Sequence, residues 1–129
     1  MNKKPITVPR LFLLALAAGL ALAACASPAT AQPPTQAPLV ITLKAEDIKF
    51  DTMSLTARVG QPVTLNFQNA GGLEHSFVIE ALNVKLEHVQ PGQTATVTFT
   101  PTAAGTYEFY CDVPGHKDAG MKGTLTINP

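Results

Sequence analysis

A short segment near the carboxyl end of the chain holds three side chains that bind soft metals. Cys111, His116 and Met121 lie in one Gly/Pro-rich stretch, with four residues between each neighbouring pair. A further histidine, His75, lies upstream at the start of an alternating apolar run. One thiolate, two imidazoles and one thioether are the ligands with which proteins hold a single copper ion for electron transfer. These side chains therefore predict one type 1 copper ion and a redox role.

The rest of the carboxyl-terminal two thirds of the chain has the pattern of β-structure. From Leu39 onward, short runs of alternating apolar and polar residues are separated by turn residues. Seven or eight such strands within residues 39–129 predict an all-β, antiparallel Greek-key sandwich. Residues 81–88 are compatible with one helical turn. An immunoglobulin-like adhesion module would have the same strand pattern, so the pattern alone does not decide the function.

Strand parity predicts where the candidate ligands point, because successive side chains in a strand face opposite sides. Each strand-borne candidate shares the parity of apolar neighbours: Cys111 with Tyr107 and Phe109, His75 with Phe77 and Ile79, and Met121 with Leu125 and Ile127. If the Cys111 and Met121 strands are antiparallel neighbours, these two residues lie at one end of the sandwich. His75 joins them if its strand runs parallel to the Met121 strand, and His116 lies in the loop at that end. Each residue alone would be ordinary core, rim or solvated loop, but the four together favour a metal site.

The other residues with chemical potential have simpler interpretations. His88 has no ligand-like neighbour and is predicted to lie on the surface, while Met53 is assigned to the core. No carboxylate pair, Ser-His-Asp set or phosphate-binding loop is apparent. The sequence therefore predicts a protein that is not an enzyme by itself.

The first residues have the features of an export signal. A basic start with Lys3, Lys4 and Arg10 precedes a Leu/Ala-rich run that ends at Ala24. Residues 1–24 are thus predicted to be a signal peptide, and the sequence Leu22-Ala23-Ala24-Cys25 resembles a lipobox. Lipid on Cys25 would anchor the protein to a membrane on the extracytoplasmic or periplasmic side. Ordinary cleavage after Ala31 is the alternative.

Residues 25–38 are rich in Pro, Ala, Thr and Gln and are predicted to be a flexible tether before the domain at 39–129. Residues 25–129 keep six of the nine basic and all nine acidic residues, a net charge of −3 without a basic patch. This charge argues against a nucleic-acid partner. Lipidation or cleavage removes Cys25 from pairing, so Cys111 is expected to be a single thiol in an oxidising compartment rather than half of a disulfide.

The motifs around the candidate ligands resemble those of the cupredoxins, the type 1 blue copper proteins. The resemblance lies in the stretch 105–111, in Pro114-Gly115-His116, in the stretch 120–125, and in the upstream loop from Asn69 to Phe77. It covers about residues 39–129. The two four-residue gaps are most similar to those of the auracyanins, since plastocyanins have a shorter first gap and azurins a shorter second one.

This resemblance implies a function and a site. His75, Cys111 and His116 would be equatorial copper ligands and Met121 the axial one, with Ser76 and Asn69 supporting them. Backbone amides near Ser76 and in the loop after Cys111 would donate to the sulfur. Electrons would pass through His116 on a face formed with other small or apolar residues: Gly72, Leu73, Pro114, Gly115 and Ala119. The expected protein is a monomeric single-electron carrier using Cu(I)/Cu(II) cycling, with redox partners such as c-type cytochromes or membrane electron-transfer complexes.

A copper-handling protein that stores or delivers the ion is the alternative from another class. A delivery protein would favour exposed, exchangeable Met/His clusters, whereas these candidates lie in a loop fixed by turn residues. A copper enzyme would need further copper sites, and the chain has only three histidines.

Overall fold

The computed structural model describes residues 36–129, which form nine β-strands and one short 3-10 turn at Glu80–Leu82. The predicted signal peptide, Cys25 and most of the tether lie outside the described residues. No helix within residues 36–129 is long and apolar enough to cross a membrane. The strands are β1 (Leu39–Glu46), β2 (Lys49–Phe50), β3 (Ser54–Arg58), β4 (Val63–Asn69), β5 (His75–Ile79), β6 (Val84–Val89), β7 (Thr94–Phe99), β8 (Gly105–Tyr110) and β9 (Lys122–Asn128).

The strands form two sheets, which confirms the all-β sandwich. One sheet has the order β2-β1-β4-β7 and the other the order β3-β9-β8-β5-β6. Two pairs, β1 with β4 and β3 with β9, are parallel, in contrast to the antiparallel arrangement that the sequence predicts. Between the two strands of each parallel pair, the chain contributes at least one strand to the other sheet. The two strands are therefore not joined by a tight hairpin, which only antiparallel neighbours allow.

The core lies between the sheets and is built from alternating side chains. Along β4, Val63, Leu65 and Phe67 are buried while the residues between them are partly exposed. Four phenylalanines meet at the centre with ring centroids 5.3 to 6.5 Å apart: Phe50, Phe67, Phe77 and Phe109. Such edge and tilted contacts add to the stabilisation from burial. This aromatic centre gives the site at one end of the sandwich a rigid base.

Two assignments made from the sequence differ from the structure. The 3-10 turn at Glu80–Leu82 falls in the region where a helical turn was expected, but strand β6 occupies most of residues 81–88. Met53 is 65% exposed, so the prediction of a core residue is wrong. It lies just before β3, where its carbonyl accepts a hydrogen bond from Thr124 at 2.8 Å and its side chain is left outside the sandwich.

Candidate metal centre

Three strand ends bring the candidate ligands to one end of the sandwich, here called the ligand end. Cys111 follows the last residue of β8, Met121 precedes the first residue of β9, and His75 begins β5. Strand β8 is antiparallel to both β9 and β5, so β5 and β9 run in the same direction. The strand directions on which the predicted convergence depends are therefore the observed ones.

The donor atoms of three ligand candidates face one another. The Cys111 Sγ lies 3.5 Å from Nδ1 of His116 and 4.0 Å from Nδ1 of His75. Donor atoms of all three residues lie within 4.8 Å of one another. Two donors that bind one ion at about 2.0 to 2.3 Å each must lie within about 4.5 Å of each other. Both sulfur-to-nitrogen distances meet that requirement, so the residues present fit a single metal ion.

The site is closed to solvent except at one point. His75, Cys111 and Met121 are fully buried, and His116 is 8% exposed. Burial lowers the pKa of His75, and the neighbouring His116 lowers it further, so the imidazole favours the neutral form that binds metals. The Nε2 of His75 is buried without a hydrogen-bond partner among the described residues. The other nitrogen, Nδ1, faces the Cys111 sulfur, and in a buried site a metal ion there would give it a partner.

Backbone hydrogen bonds hold the loop between Cys111 and Met121 in shape. The Cys111 amide donates to the Met121 carbonyl at 3.1 Å, and the Met121 amide donates to the His116 carbonyl at 3.0 Å. The His116 amide in turn donates to the Val113 carbonyl at 3.0 Å. The three ligand candidates on this segment are therefore fixed relative to one another by the main chain. The main chain of Met121 thus bonds to both Cys111 and His116, and its side chain is fully buried.

The Cys111 sulfur has one main-chain donor. The Ser76 amide lies 3.4 Å from Sγ and donates to it, as expected from the resemblance. The second expected source, the loop after Cys111, donates no hydrogen bond to the sulfur within residues 36–129. Pro114 in that loop has no N–H to offer.

A charged group that the sequence interpretation missed lies beside the sulfur. Asp112 accepts a hydrogen bond from the Ser76 hydroxyl at 2.5 Å, and its amide donates back to that oxygen at 2.8 Å. The second Asp112 oxygen lies 2.9 Å from the Lys85 ammonium. Burial raises the pKa of Asp112, but the bonds from Ser76 and Lys85 outweigh this effect and leave the pKa below its usual value. Lys85 on β6 and Asp112 after β8 are far apart in the sequence, so no local pattern predicts that they pair.

Asn69 supports the loop that leads into His75. Its side-chain amide donates to the carbonyls of Leu73 and Val89, both at 2.7 Å, and its Oδ1 accepts from the Gly71 amide at 3.0 Å. The Gly72 amide is held from the other side by the Asp47 carboxylate at 2.7 Å. The resemblance to cupredoxins indicates that Asn69 supports the site, and these contacts show how its side chain fixes the loop.

The small or apolar residues predicted to form a face with His116 are exposed. Pro114, Gly115 and Ala119 are exposed on its own loop. On the preceding loop Gly72 is exposed and Leu73 is 45% exposed. All five residues predicted for the face around His116 are therefore accessible at the ligand end. His88 is exposed as predicted, and its ring forms a hydrogen bond with Glu74 at 2.8 Å.

Comparison with known proteins decides the family. The family model of the cupredoxin-like domain matches residues 13–127. This chain is a cupredoxin. The family match and the fit of the donor set confirm the prediction of one copper ion as the cofactor of this cupredoxin.

Individual relatives point in the same direction. This cupredoxin is 31% identical to auracyanin-A of Chloroflexus aurantiacus over 115 residues, which is 66% of this chain and 70% of that protein. It is 28% identical over 107 residues to the copper-resistant cuproprotein CopI of Rubrivivax gelatinosus, covering 68% of this chain and 65% of CopI. Among solved structures, reduced auracyanin of Roseiflexus castenholzii superposes with a TM-score of 0.66 at 28% identity, covering 73% of this chain and all of that one.

Proposed function

We propose that this cupredoxin carries single electrons between redox partners through a type 1 copper ion. His75, Cys111 and His116 would bind the ion as equatorial ligands, and Met121 would be the axial ligand. The observation that carries the proposal is the buried arrangement of the Cys111 sulfur with two imidazole nitrogens at 3.5 and 4.0 Å. Bound copper supplies one-electron chemistry, and a thiolate with a weak axial thioether favours its reduced state.

The residues of this chain contribute rigidity and access. The main-chain bonds among Cys111, His116 and Met121 keep the donor atoms in place when the charge of the site changes. Burial excludes water from the sulfur, while the exposed edge of His116 offers a short route to a partner. The small and apolar residues predicted for a rim around that edge suit a brief contact, which is what a carrier needs for rapid exchange of partners. Leu73 and Ala119 belong to that rim.

The proposal extends to where the protein works. The signal at residues 1–24, a lipid on Cys25 and the tether 25–38 would place the domain 39–129 at an extracytoplasmic or periplasmic membrane surface. Its partners there would be c-type cytochromes or membrane electron-transfer complexes, and it would act as a monomer without catalysing a reaction itself. The likeness to auracyanin-A supports the role of carrier.

Optical and EPR spectra of the purified protein titrated with Cu(II) test the carrier role. We expect an intense visible band from thiolate-to-copper charge transfer, bleached by a mild reductant and restored by an oxidant. Cys111→Ser should abolish the band while the circular dichroism of the folded protein is kept. A colourless protein, or weak copper binding that leaves Cys111 free, would refute the proposed centre.

Copper storage or delivery is a second candidate, favoured by the likeness to the cuproprotein CopI. A delivery protein must release its ion readily, whereas a carrier must retain it through repeated oxidation and reduction. Competition between the copper-loaded protein and a Cu(I) chelator measures the difference. Transfer of all copper to the chelator within seconds would favour delivery, and retention over many redox cycles would favour the carrier.

A further inference from the structure

The Ser76 hydroxyl lies between the predicted copper ligand and a carboxylate. Its oxygen is 3.5 Å from the Cys111 sulfur and 2.5 Å from Oδ1 of Asp112. It also accepts the Asp112 amide at 2.8 Å. A serine hydroxyl carries a single hydrogen, so it can donate to the sulfur or to the carboxylate but not fully to both.

The geometry gives this hydrogen to Asp112. The carboxylate oxygen is 1.0 Å nearer than the sulfur, and an ionised carboxylate is the stronger acceptor. Lys85 holds the other carboxylate oxygen at 2.9 Å, which keeps the side chain charged and oriented. With its hydrogen directed to Asp112, Ser76 turns an oxygen lone pair toward the sulfur. The Ser76 amide at 3.4 Å is then the sulfur's remaining donor from this residue.

We propose that Asp112 is a positioning residue that keeps the Ser76 hydroxyl from donating to the Cys111 thiolate and so lowers the reduction potential of the copper site. This inference rests on the proposed function, because it concerns the sulfur as a copper ligand. A hydrogen bond to the sulfur stabilises negative charge there, and that charge is larger when the copper is reduced. Withholding this bond therefore favours the oxidised state relative to a site with both donors.

Four proteins measured by redox titration test the inference: the full copper-loaded chain, Ser76→Ala, Asp112→Leu and the double variant. Asp112→Leu keeps a similar side-chain shape but offers no acceptor, so the hydroxyl hydrogen turns to the sulfur. We expect Asp112→Leu to shift the equilibrium toward reduced copper. A factor of about three to ten in that shift should depend on the Ser76 hydroxyl. Adding Ser76→Ala should remove that part. In the wild-type background, Ser76→Ala should change the equilibrium less than about twofold, because the amide that donates to the sulfur is main chain.

Loss of the Asp112 charge also favours reduction, but this effect is common to both Asp112 variants and cancels in the comparison. Glu87→Gln is the matched control, since it removes a negative charge that pairs with Lys85 and is hydrogen-bonded to neither Ser76 nor Asp112. Its effect should be additive with that of Ser76→Ala. Additive effects of Asp112→Leu and Ser76→Ala, or a large effect of Ser76→Ala alone, would overturn the inference.

A measurement without copper separates this inference from the proposed function. In the metal-free full chain, proton NMR should show a slowly exchanging Ser76 hydroxyl with a nuclear Overhauser contact to the Asp112 side chain. In Asp112→Leu this contact should be lost, and the hydroxyl should show a contact to the Cys111 side chain instead. A wild-type hydroxyl directed at Cys111 would refute the inference even if copper binds normally. Failure to bind copper would refute the proposed function without affecting this result.

Discussion

Asn69 connects three pieces of backbone at the ligand end although it carries no ligand atom of its own. Its side chain is 2% exposed and forms three hydrogen bonds, with Leu73, Val89 and Gly71. Removing one partner of a buried hydrogen bond costs more free energy than forming the bond contributes to stability, because the remaining polar group is left buried and unpaired. The position of His75 therefore depends on a residue that lies six positions before it in the chain.

Asn69→Ala should lower the free energy of unfolding of the metal-free protein by about 1 to 3 kcal/mol, because it leaves buried carbonyls and an amide without partners. Urea unfolding followed by circular dichroism measures this loss. Asn66→Ala is the control on the same strand, since the partly exposed Asn66 side chain only accepts a bond from the Thr96 hydroxyl. That variant should change stability by less than about 0.5 kcal/mol. Equal losses in both variants would show that the Asn69 contacts are not special.

The pairing of His88 with Glu74, in the loop before His75, is expected to make the stability of the folded protein depend on pH. The hydrogen bond with Glu74 raises the pKa of His88, and the charges of Glu74, Glu87 and Asp112 act in the same direction. Because the pKa in the folded state exceeds the unfolded value of about 6.5, the stabilisation is complete below that pH and is lost as the pH rises through the higher folded value.

His88→Gln should therefore be less stable than the wild type at pH 5.5 to 6, roughly, and about equally stable at pH 8.5. Urea unfolding at these pH values provides the comparison. The difference should be small and should shrink in high salt, because the pair is exposed. A difference between the two proteins that does not change with pH would show that the Glu74 contact does not depend on His88 charge.

At the scale of elements, the pairing of β8 with β9 determines how Cys111 and Met121 meet. Gly123 on β9 lies opposite Phe109 on β8, and the Phe109 ring covers the place where a side chain would be. A Cβ at Gly123 would also come 2.7 Å from the Met53 carbonyl. The close approach of backbone and aromatic ring requires glycine at this position.

Gly123→Ala should destabilise the protein by about 1 to 3 kcal/mol, since the added methyl group forces Phe109 or the strand to move. Thermal unfolding of the metal-free protein measures the change. Gly72→Ala is the matched control, because a Cβ there meets its nearest atom at 3.9 Å and ordinary backbone angles are available. Tolerance of alanine at both positions would indicate that Phe109 has freedom to repack.

Sequence patterns predicted the elements whose side chains alternate regularly. The period-2 pattern of β4, and the shared parity of Cys111 with Phe109, were sufficient to place residues inside or outside the sandwich. Strand β6 was not predicted from the sequence. Its pairing with β5 is interrupted by a register shift between His75 and Phe77. His88, in the same irregular region, has a positive φ of 55°. Such a bulge breaks the alternation by which strands are recognised.

The site was predictable where chemistry is carried by residue type and was not predictable where it depends on tertiary pairing. Cys, His and Met are recognisable from the sequence as possible copper ligands, and the face of the strand on which each lies follows from the alternation of its neighbours. The bond between Ser76 and Asp112 joins residues 36 positions apart, and Lys85 on a third segment pairs with the same carboxylate. No local pattern signals a contact of this kind, because it exists only once β5, β6 and β8 lie side by side.

At the scale of the whole molecule, the sandwich separates two chemically different ends. Ala119 lies exposed beside His116 at the ligand end, whereas Ala103 lies exposed in the connection between β7 and β8, at the opposite end of β8. The two alanines therefore allow the same substitution to be made near the site and far from it. An electron partner that docks on the His116 edge would be affected by only one of them.

Ala119→Arg should slow reduction of the copper-loaded protein by a c-type cytochrome about tenfold, because a bulky charge in the contact must be desolvated or keeps the partner away. Ala103→Arg should leave the rate within about twofold of the wild type, although it changes the net charge equally. Stopped-flow kinetics at moderate ionic strength measure both rates, and redox titrations verify that the potentials are unchanged. Equal rates for the two variants would place electron entry away from the His116 edge, whereas slowing by Ala119→Arg alone would tie electron transfer to the ligand end.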